Sequence, residues 1–312
     1  MQGSLEILKI CFVGILIVLG IYFLPDISVD FSVPEAQADI ATTSVSVANV
    51  APSVSSVDLN AGANIDLAED TTVTVNCAAT LSDANGGGDI TSATSTIYRS
   101  GVGDACTADD NNCYQIASGN CTLGAVAGND RPATCTADIW FHADPTDAGT
   151  WSGETWVCRI TATDAVSNTG SATNTGQTIG MNTLRALDVS PTIGYGTLTP
   201  GQTWDCNVTT TATTTGNAAI DADISGVNMC TDYPTCSGNA IGIGQQHYAT
   251  SSVAYASGYT ASTAATHLEF DTVKPTAHPS DQVQNTFWGI AIPSGQPAAD
   301  YTGENTYTAT AD

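Results

Sequence analysis

The chain is short of positive charge. Only six of its 312 residues are Lys or Arg, against 31 Asp or Glu, which gives a formal net charge of −25. Nucleic acids and anionic membrane surfaces are held by clustered cations, so a chain this acidic excludes both as partners. Charged residues of either sign reach only 12%, and Thr, Ser, Ala, Gly and Asn occupy the surface instead. Catalytic signatures are missing as well. The four histidines, His142, His247, His267 and His278, are scattered and read as ordinary surface or turn residues, with none in a GxSxG or HExxH pattern. No CxxC pair suggests a zinc site, and no CxxCH suggests covalent haem. The acidic pair Asp221 and Asp223 reads as the solvated face of an exposed strand. An enzyme is not expected. Full disorder is excluded too, because the hydrophobic fraction is 42%.

What is present is cysteine. Ten of them, in a chain dense in turn residues, point to an oxidising compartment, and so to an extracellular or cell-surface protein. Cys11 falls in the one long apolar run, residues 10–24. That run is short for a membrane span of about 20 residues and suits a signal-peptide core. Ala36 and Ala38 supply the small residues that signal peptidase reads, which places cleavage after Ala38. Two alternatives stand beside a cleaved 1–38. Residues 5–24 could remain as a hydrophobic anchor, the one route to a membrane. The start also resembles that of type IV pilins, with Gly3-Ser4 as a cleavage point, Glu6 just inside it and Pro25 at the helix kink, although Glu6 comes two places early and Lys9 interrupts the apolar face.

Past this segment the signal is all-β. Residues 39–49 (DIATTSVSVAN) alternate as a strand does yet have no domain of their own. Residues 39–50 therefore read as an orphan edge strand or stalk, or as a strand that adds to an open sheet edge of another molecule. Length allows about two further domains. The first spans 51–180. Its segments 72–77 and 155–164 alternate around Cys77 and Cys158, 83–89 is a turn rich in Gly, Asp and Asn, 90–99 is a strand, 100–134 is a cysteine-bearing insertion, and 138–142 returns to strand pattern. The second spans 184–312, with strands at 204–213 and 219–227 and two final antiparallel strands within 287–293 and 299–309.

The run Thr161-Ala-Thr-Asp164, followed by Asn168-Thr-Gly170, resembles the closing hairpin of bacterial Ig-like and cadherin-like modules of microbial surface proteins. The second domain, ordered as Leu198-Thr-Pro-Gly201, strand, Thr215-Gly-Asn217, strand, resembles another Ig-like class of microbial envelope proteins. The resemblance implies two tandem Ig-like β-sandwich domains after the N-terminal hydrophobic segment, with Cys77–Cys158 bridging the sheets of the first. Trp156 stands where such domains carry a corner tyrosine; an indole has no hydroxyl, which leaves the corner hydrogen bond without its usual donor. Cys106–Cys113 and Cys121–Cys135 are the expected staples of the insertion, and Cys230–Cys236 that of the second domain. Cys206 is left over, as a buried thiol or as an intermolecular cross-link.

One ligand has a signal. Asp83, Asn85 and Asp89 place oxygen side chains around glycines in a way that suits calcium, with plain turn chemistry as the other reading. Asp104, Asp109 and Asp110 form a second acidic loop of the same two-sided kind. The functional expectation is a non-enzymatic extracellular structural protein, a subunit of a surface filament or envelope layer that partners itself. The alternative is an adhesin for a glycan or host protein, with 100–134 as the contact surface and Trp140, Trp151 and Tyr114 as stacking faces.

Overall fold

The computed structural model describes residues 39–312. The N-terminal readings (signal peptide, anchor or pilin-like helix) and Cys11 lie outside the described residues. The chain divides into two compact units, Met1–Ala48 and Asn49–Asp312. Of the first, residues 39–48 carry no strand and are exposed throughout. The strand expected at 39–49 is thus not formed: its Val, Ser and Thr residues have the right period but pair with no strand among the described residues, and a lone strand does not hold.

The second unit is all-β, with short 3-10 turns and no α-helix among the described residues. None of its elements is a helix long and apolar enough to cross a membrane. Eight strands come first in the chain: β1 (Ser53–Leu59), β2 (Thr72–Ser82), β3 (Ile90–Arg99), β4 (Cys113–Ile116), β5 (Cys121–Leu123), β6 (Asp130–Trp140), β7 (Trp156–Asp164) and β8 (Thr169–Thr173). They form two four-stranded antiparallel sheets, ordered β1-β2-β6-β5 and β4-β3-β7-β8. Alternation explains their faces. Val75, Cys77, Ala79 and Leu81 of β2 are buried, as are Trp156, Cys158, Ile160 and Ala162 of β7. Cys77 and Cys158 form a disulfide between these two sheets, with Cα atoms 6.1 Å apart. Gly170 in β8 is dictated by a close approach, since a Cβ there would lie 1.8 Å from the carbonyl oxygen of Pro52.

One expectation needs correction here. The stretch 100–134 is only partly an insertion. It supplies β4 to one sheet and β5 to the other, and β6 begins inside it at Asp130. Small and polar residues (Thr122, Thr134, Thr136) fill the outward positions, so no apolar alternation betrays these strands; pairing does, with Cys121 opposite Cys135 across β5 and β6. The Trp156 indole is buried and its N–H finds an acceptor, donating to the carbonyl of Asp144 at 3.0 Å.

The remaining strands are β9 (Leu187–Val189), β10 (Thr203–Thr214), β11 (Ile220–Gly226), β12 (Met229–Cys230), β13 (Ala240–Ile241), β14 (Gln246–Ala249), β15 (Tyr259–Thr260), β16 (Thr266–Thr272), β17 (Val283–Ala291) and β18 (Asn305–Ala311). They give a five-stranded sheet β15-β14-β17-β10-β9, a three-stranded sheet β16-β11-β18 and the small pair β12-β13. The two last strands are not partners of each other: β17 lies in the first of these sheets and β18 in the second. Their aromatics meet between the sheets, where the Trp288 indole N–H donates to the Tyr307 hydroxyl at 2.8 Å. Each half has its own buried apolar cluster, one from Leu59 to Met181 and one from Ala212 to Trp288.

Candidate functional site

At one end of the N-terminal half, three strand ends converge. Asp83 follows β2, Asp89 precedes β3 and Asp164 ends β7, and one carboxylate oxygen from each lies within 4.8 Å of the others. The turn between β2 and β3 folds this way because Gly86 takes φ 116°, a region closed to L side chains. Asp83 is 1% exposed and Asp164 2%. Asp83 accepts the Asn85 backbone N–H on Oδ1 at 2.7 Å, while its Oδ2 has no hydrogen-bond partner; Asp89 Oδ2 is likewise buried and unpartnered. Asp164 holds the following turn, accepting on Oδ1 from the N–H groups of Val166 (2.9 Å) and Asn168 (2.8 Å), and on Oδ2 from Asn49 Nδ2 (2.7 Å). Burial pushes its carboxyl up, but the bonds from Asn49, Asn168 and Val166 outweigh that and hold it below the usual carboxylate range.

Among the described residues, no ion pair involves any of these three acids. Carboxylates this close repel by about 3 kcal/mol per pair at an effective dielectric constant of roughly 20. Chemically, the arrangement can hold a hard cation by oxygen alone. It differs from the sequence expectation in one member. Asn85 is exposed and accepts the Val50 N–H on Oδ1 at 2.8 Å, and Asp164 stands with Asp83 and Asp89 instead. The sequence held a signal for Asp164: alternation from Trp156 through Cys158, Ile160 and Ala162 puts it on the inner face of β7, where a carboxylate needs a reason.

The other expected residues are placed as follows. The structure pairs Cys77 with Cys158, Cys106 with Cys113, Cys121 with Cys135, and Cys230 with Cys236. Cys206 is a fully buried thiol on β10, and burial pushes its pKa up. Asp104 forms an ion pair with Arg159, and Asp109 accepts the Asn111 N–H at 2.9 Å, so the second acidic loop is not a cluster. The aromatics proposed as stacking faces are engaged. Tyr114 is 8% exposed, Trp140 stacks on His278 at 4.4 Å, and Trp151 lies beneath Arg99 and Lys274.

Asp221 was expected on a solvated face but is buried at 3%. It accepts the N–H groups of Phe270 (2.7 Å) and Asp271 (3.1 Å), where Asp271 takes φ 51° at a bulge against β11. Both bonds reach Oδ1, while Oδ2 lies 3.6 Å from His267 Nε2. His267 beside it is half-exposed, and its hydrogen bond to Asp223, with Glu269 and Asp221 nearby, raises its pKa.

His142, also expected at the surface, is 1% exposed at the junction of the two halves. The cations are spent there. Asp144 accepts Arg99 Nε at 3.0 Å and Lys274 Nζ at 3.2 Å, and Arg99 also pairs with Glu154. Lys274 further donates to Asn111 Oδ1 at 2.7 Å. Buried Asn217 donates to the Ala143 carbonyl at 3.0 Å and accepts the Leu184 N–H at 2.6 Å. These bonds are polar, directional and internal, and they leave neither guanidinium nor ammonium aimed at a ligand. Compared with known proteins, the chain matches no family model and no curated relative.

Proposed function

We propose that the chain is an extracellular structural subunit built of two tandem Ig-like β-sandwiches, over 51–180 and 184–312, which assembles with copies of itself. The sheet orders β1-β2-β6-β5 and β4-β3-β7-β8, bridged by Cys77–Cys158, support the Ig-like reading of the first half. Four disulfides support an oxidising compartment. The observation that carries self-assembly is the segment 40–47. It has strand periodicity, belongs to no sheet among the described residues, and leaves Ile40 88%, Val45 88% and Val47 81% exposed. Apolar residues on a strand-like segment gain from an open edge on a neighbour, and edge strands such as β5, β8 and β18 offer one.

The test is electron microscopy and sedimentation of native protein beside a variant lacking 39–49. Ordered assemblies from the first and monomers from the second are the expected result. Monomers from both at high concentration would sink the reading. The adhesin alternative has less support, because Tyr114, Trp140 and Trp151 make contacts within the chain rather than an open platform.

A further inference from the structure

We infer that Asp221, His267 and Glu269 form a binding site for a divalent transition ion of the zinc type, on the face of the sheet β16-β11-β18 that is turned away from the core. Alternation places them there. Ala222, Ile224, Leu268 and Phe270 point into the core cluster, so Asp221, Asp223, His267 and Glu269 belong to the other face. His267 stands opposite Asp223 across the two strands. Its Nδ1 lies 3.2 Å from Asp223 Oδ1, and a carboxylate only accepts, so Nδ1 carries the proton and donates. That leaves Nε2 facing two further carboxylate oxygens, Glu269 Oε1 at 3.2 Å and Asp221 Oδ2 at 3.6 Å. Asp221 is 3% exposed, and among the described residues no donor lies within hydrogen-bond distance of this Oδ2; the bonds from Phe270 and Asp271 both end on Oδ1.

An unshared pair on Nε2 is repelled by these oxygens, so the arrangement favours a cation among the three atoms. Side chains do not supply it. Arg99, Arg159 and Lys274 pair with Asp144, Glu154 and Asp104, Arg131 donates to the carbonyls of Gly124 and Ile90, and the ion pairs of Asp221, Asp223 and Glu269 among the described residues are all to His267. Strand β18 sets only Thr308 and Thr310 opposite Asp223 and Asp221, and Asp271 and Asp312 bring further carboxylate oxygens within 4.8 Å of Asp221. The spacing fits a metal ion. Ligands about 2.1 Å from a tetrahedral zinc lie about 3.4 Å apart, and the two distances measured from Nε2 bracket that value. The outer contacts fit as well: metal-bound imidazoles donate their other N–H to a carboxylate, as Nδ1 does to Asp223, and the N–H groups on Asp221 Oδ1 fix the direction of its Oδ2. One imidazole with two carboxylates suits zinc and its neighbours, whereas calcium takes roughly six to eight oxygens. The fourth tetrahedral position is left to water. A bound ion would tie the edge strand β16 to β11. A proton on Nε2 is the competing cation, and the experiment separates the two.

The experiment is calorimetric titration of the full-length, chelator-stripped protein with zinc chloride and, separately, calcium chloride, joined to NMR of the histidine ring nitrogens and to thermal unfolding. One zinc should bind per chain, shift the His267 Nε2 resonance more than any other ring nitrogen and raise the unfolding temperature, while calcium leaves that resonance in place. His267→Gln and Glu269→Gln should each weaken zinc binding by about tenfold or more, and Asp223→Asn, which removes the charge of the orienting acceptor, by about tenfold. These three side chains all reach the surface, so the variants keep the fold; Asp221, whose Oδ1 holds the bulge, is left in place. His247→Gln is the control and should bind zinc as wild type does. If His267 is only a protonated base among acids, its replacement changes stability equally in zinc and in chelator, and that result overturns the inference. So do the absence of zinc-dependent heat at millimolar concentration, a calcium response at His267 equal to that of zinc, and a loss in His247→Gln as large as in His267→Gln. Assembly is not the readout, so this inference and the assembly reading fail separately.

Discussion

In the N-terminal half the two sheets are joined at their centre by a covalent bond, Cys77–Cys158 between β2 and β7. In the C-terminal half the space between the sheets holds a hydrogen-bonded triad instead, in which the Trp288 N–H meets Tyr307 (2.8 Å) and Thr210 (3.3 Å) and those two hydroxyls lie 3.0 Å apart. The only disulfide there is the local Cys230–Cys236, and Cys206 stays a buried thiol. The two solutions draw on different physics. A cross-sheet disulfide acts mainly on the unfolded chain, by removing conformations from it. The triad acts only in the folded state, where each buried polar atom must find its partner. Redox conditions should therefore govern one half and packing the other.

The sharpest way to break this contrast is to remove both cysteines of the central bridge. Cys77→Ala with Cys158→Ala, closing a loop of 81 residues, should cost about 4 kcal/mol, against about 2 kcal/mol for losing the short Cys230–Cys236 link. Urea unfolding followed by tryptophan fluorescence reads both, and equal losses would mean that loop entropy is not what the central bridge contributes. Next in size is Trp288→Phe. It keeps most of the ring and deletes the donor to Tyr307 and Thr210, for a loss of about 1–2 kcal/mol in the C-terminal half. That loss should persist unchanged in reductant, whereas the effect of removing Cys77 and Cys158 should vanish there.

The smallest effect concerns the junction between the halves. Burial lowers the His142 pKa, and the nearby Lys274 lowers it further, so the imidazole is held neutral in the fold. A His whose folded pKa is depressed contributes stability that is complete above its unfolded value of about 6.5 and is lost as pH falls through that value toward the folded one. Wild type should therefore lose more stability than His142→Gln on going from neutral to mildly acidic pH, read as the shift in urea midpoint. Identical pH profiles would show that His142 is as easily protonated in the fold as outside it.

Much of the architecture was legible in the residues. The alternations around Cys77 and Cys158, and the runs that became β10, β11 and β17, carry strand period and inner face on their surface. The misreadings share a cause. Residues 100–134 looked like a loop because β4, β5 and the first half of β6 are short and rich in Thr and Cys, with Pro132 among them; long-range pairing to β3 and β2 makes them strands. Asp221 looked exposed because alternation knows nothing of the two N–H groups that a bulge in the neighbouring β16 turns toward it. His142 looked ordinary because nothing local announces a junction.

By itself, then, the sequence determined the class of the fold, the oxidising compartment and which side of each strand faces inward, since these follow from composition and from a period of two residues. Only the tertiary structure decided which strand ends meet. Asp83 and Asp89 are neighbours along the chain, but Asp164 joins them because β7 lies across the sandwich from β2 and beside β3, and Asn85, between the two, turns away to Val50. A period assigns a residue to a face. It takes the packed sheets to give that residue its neighbours.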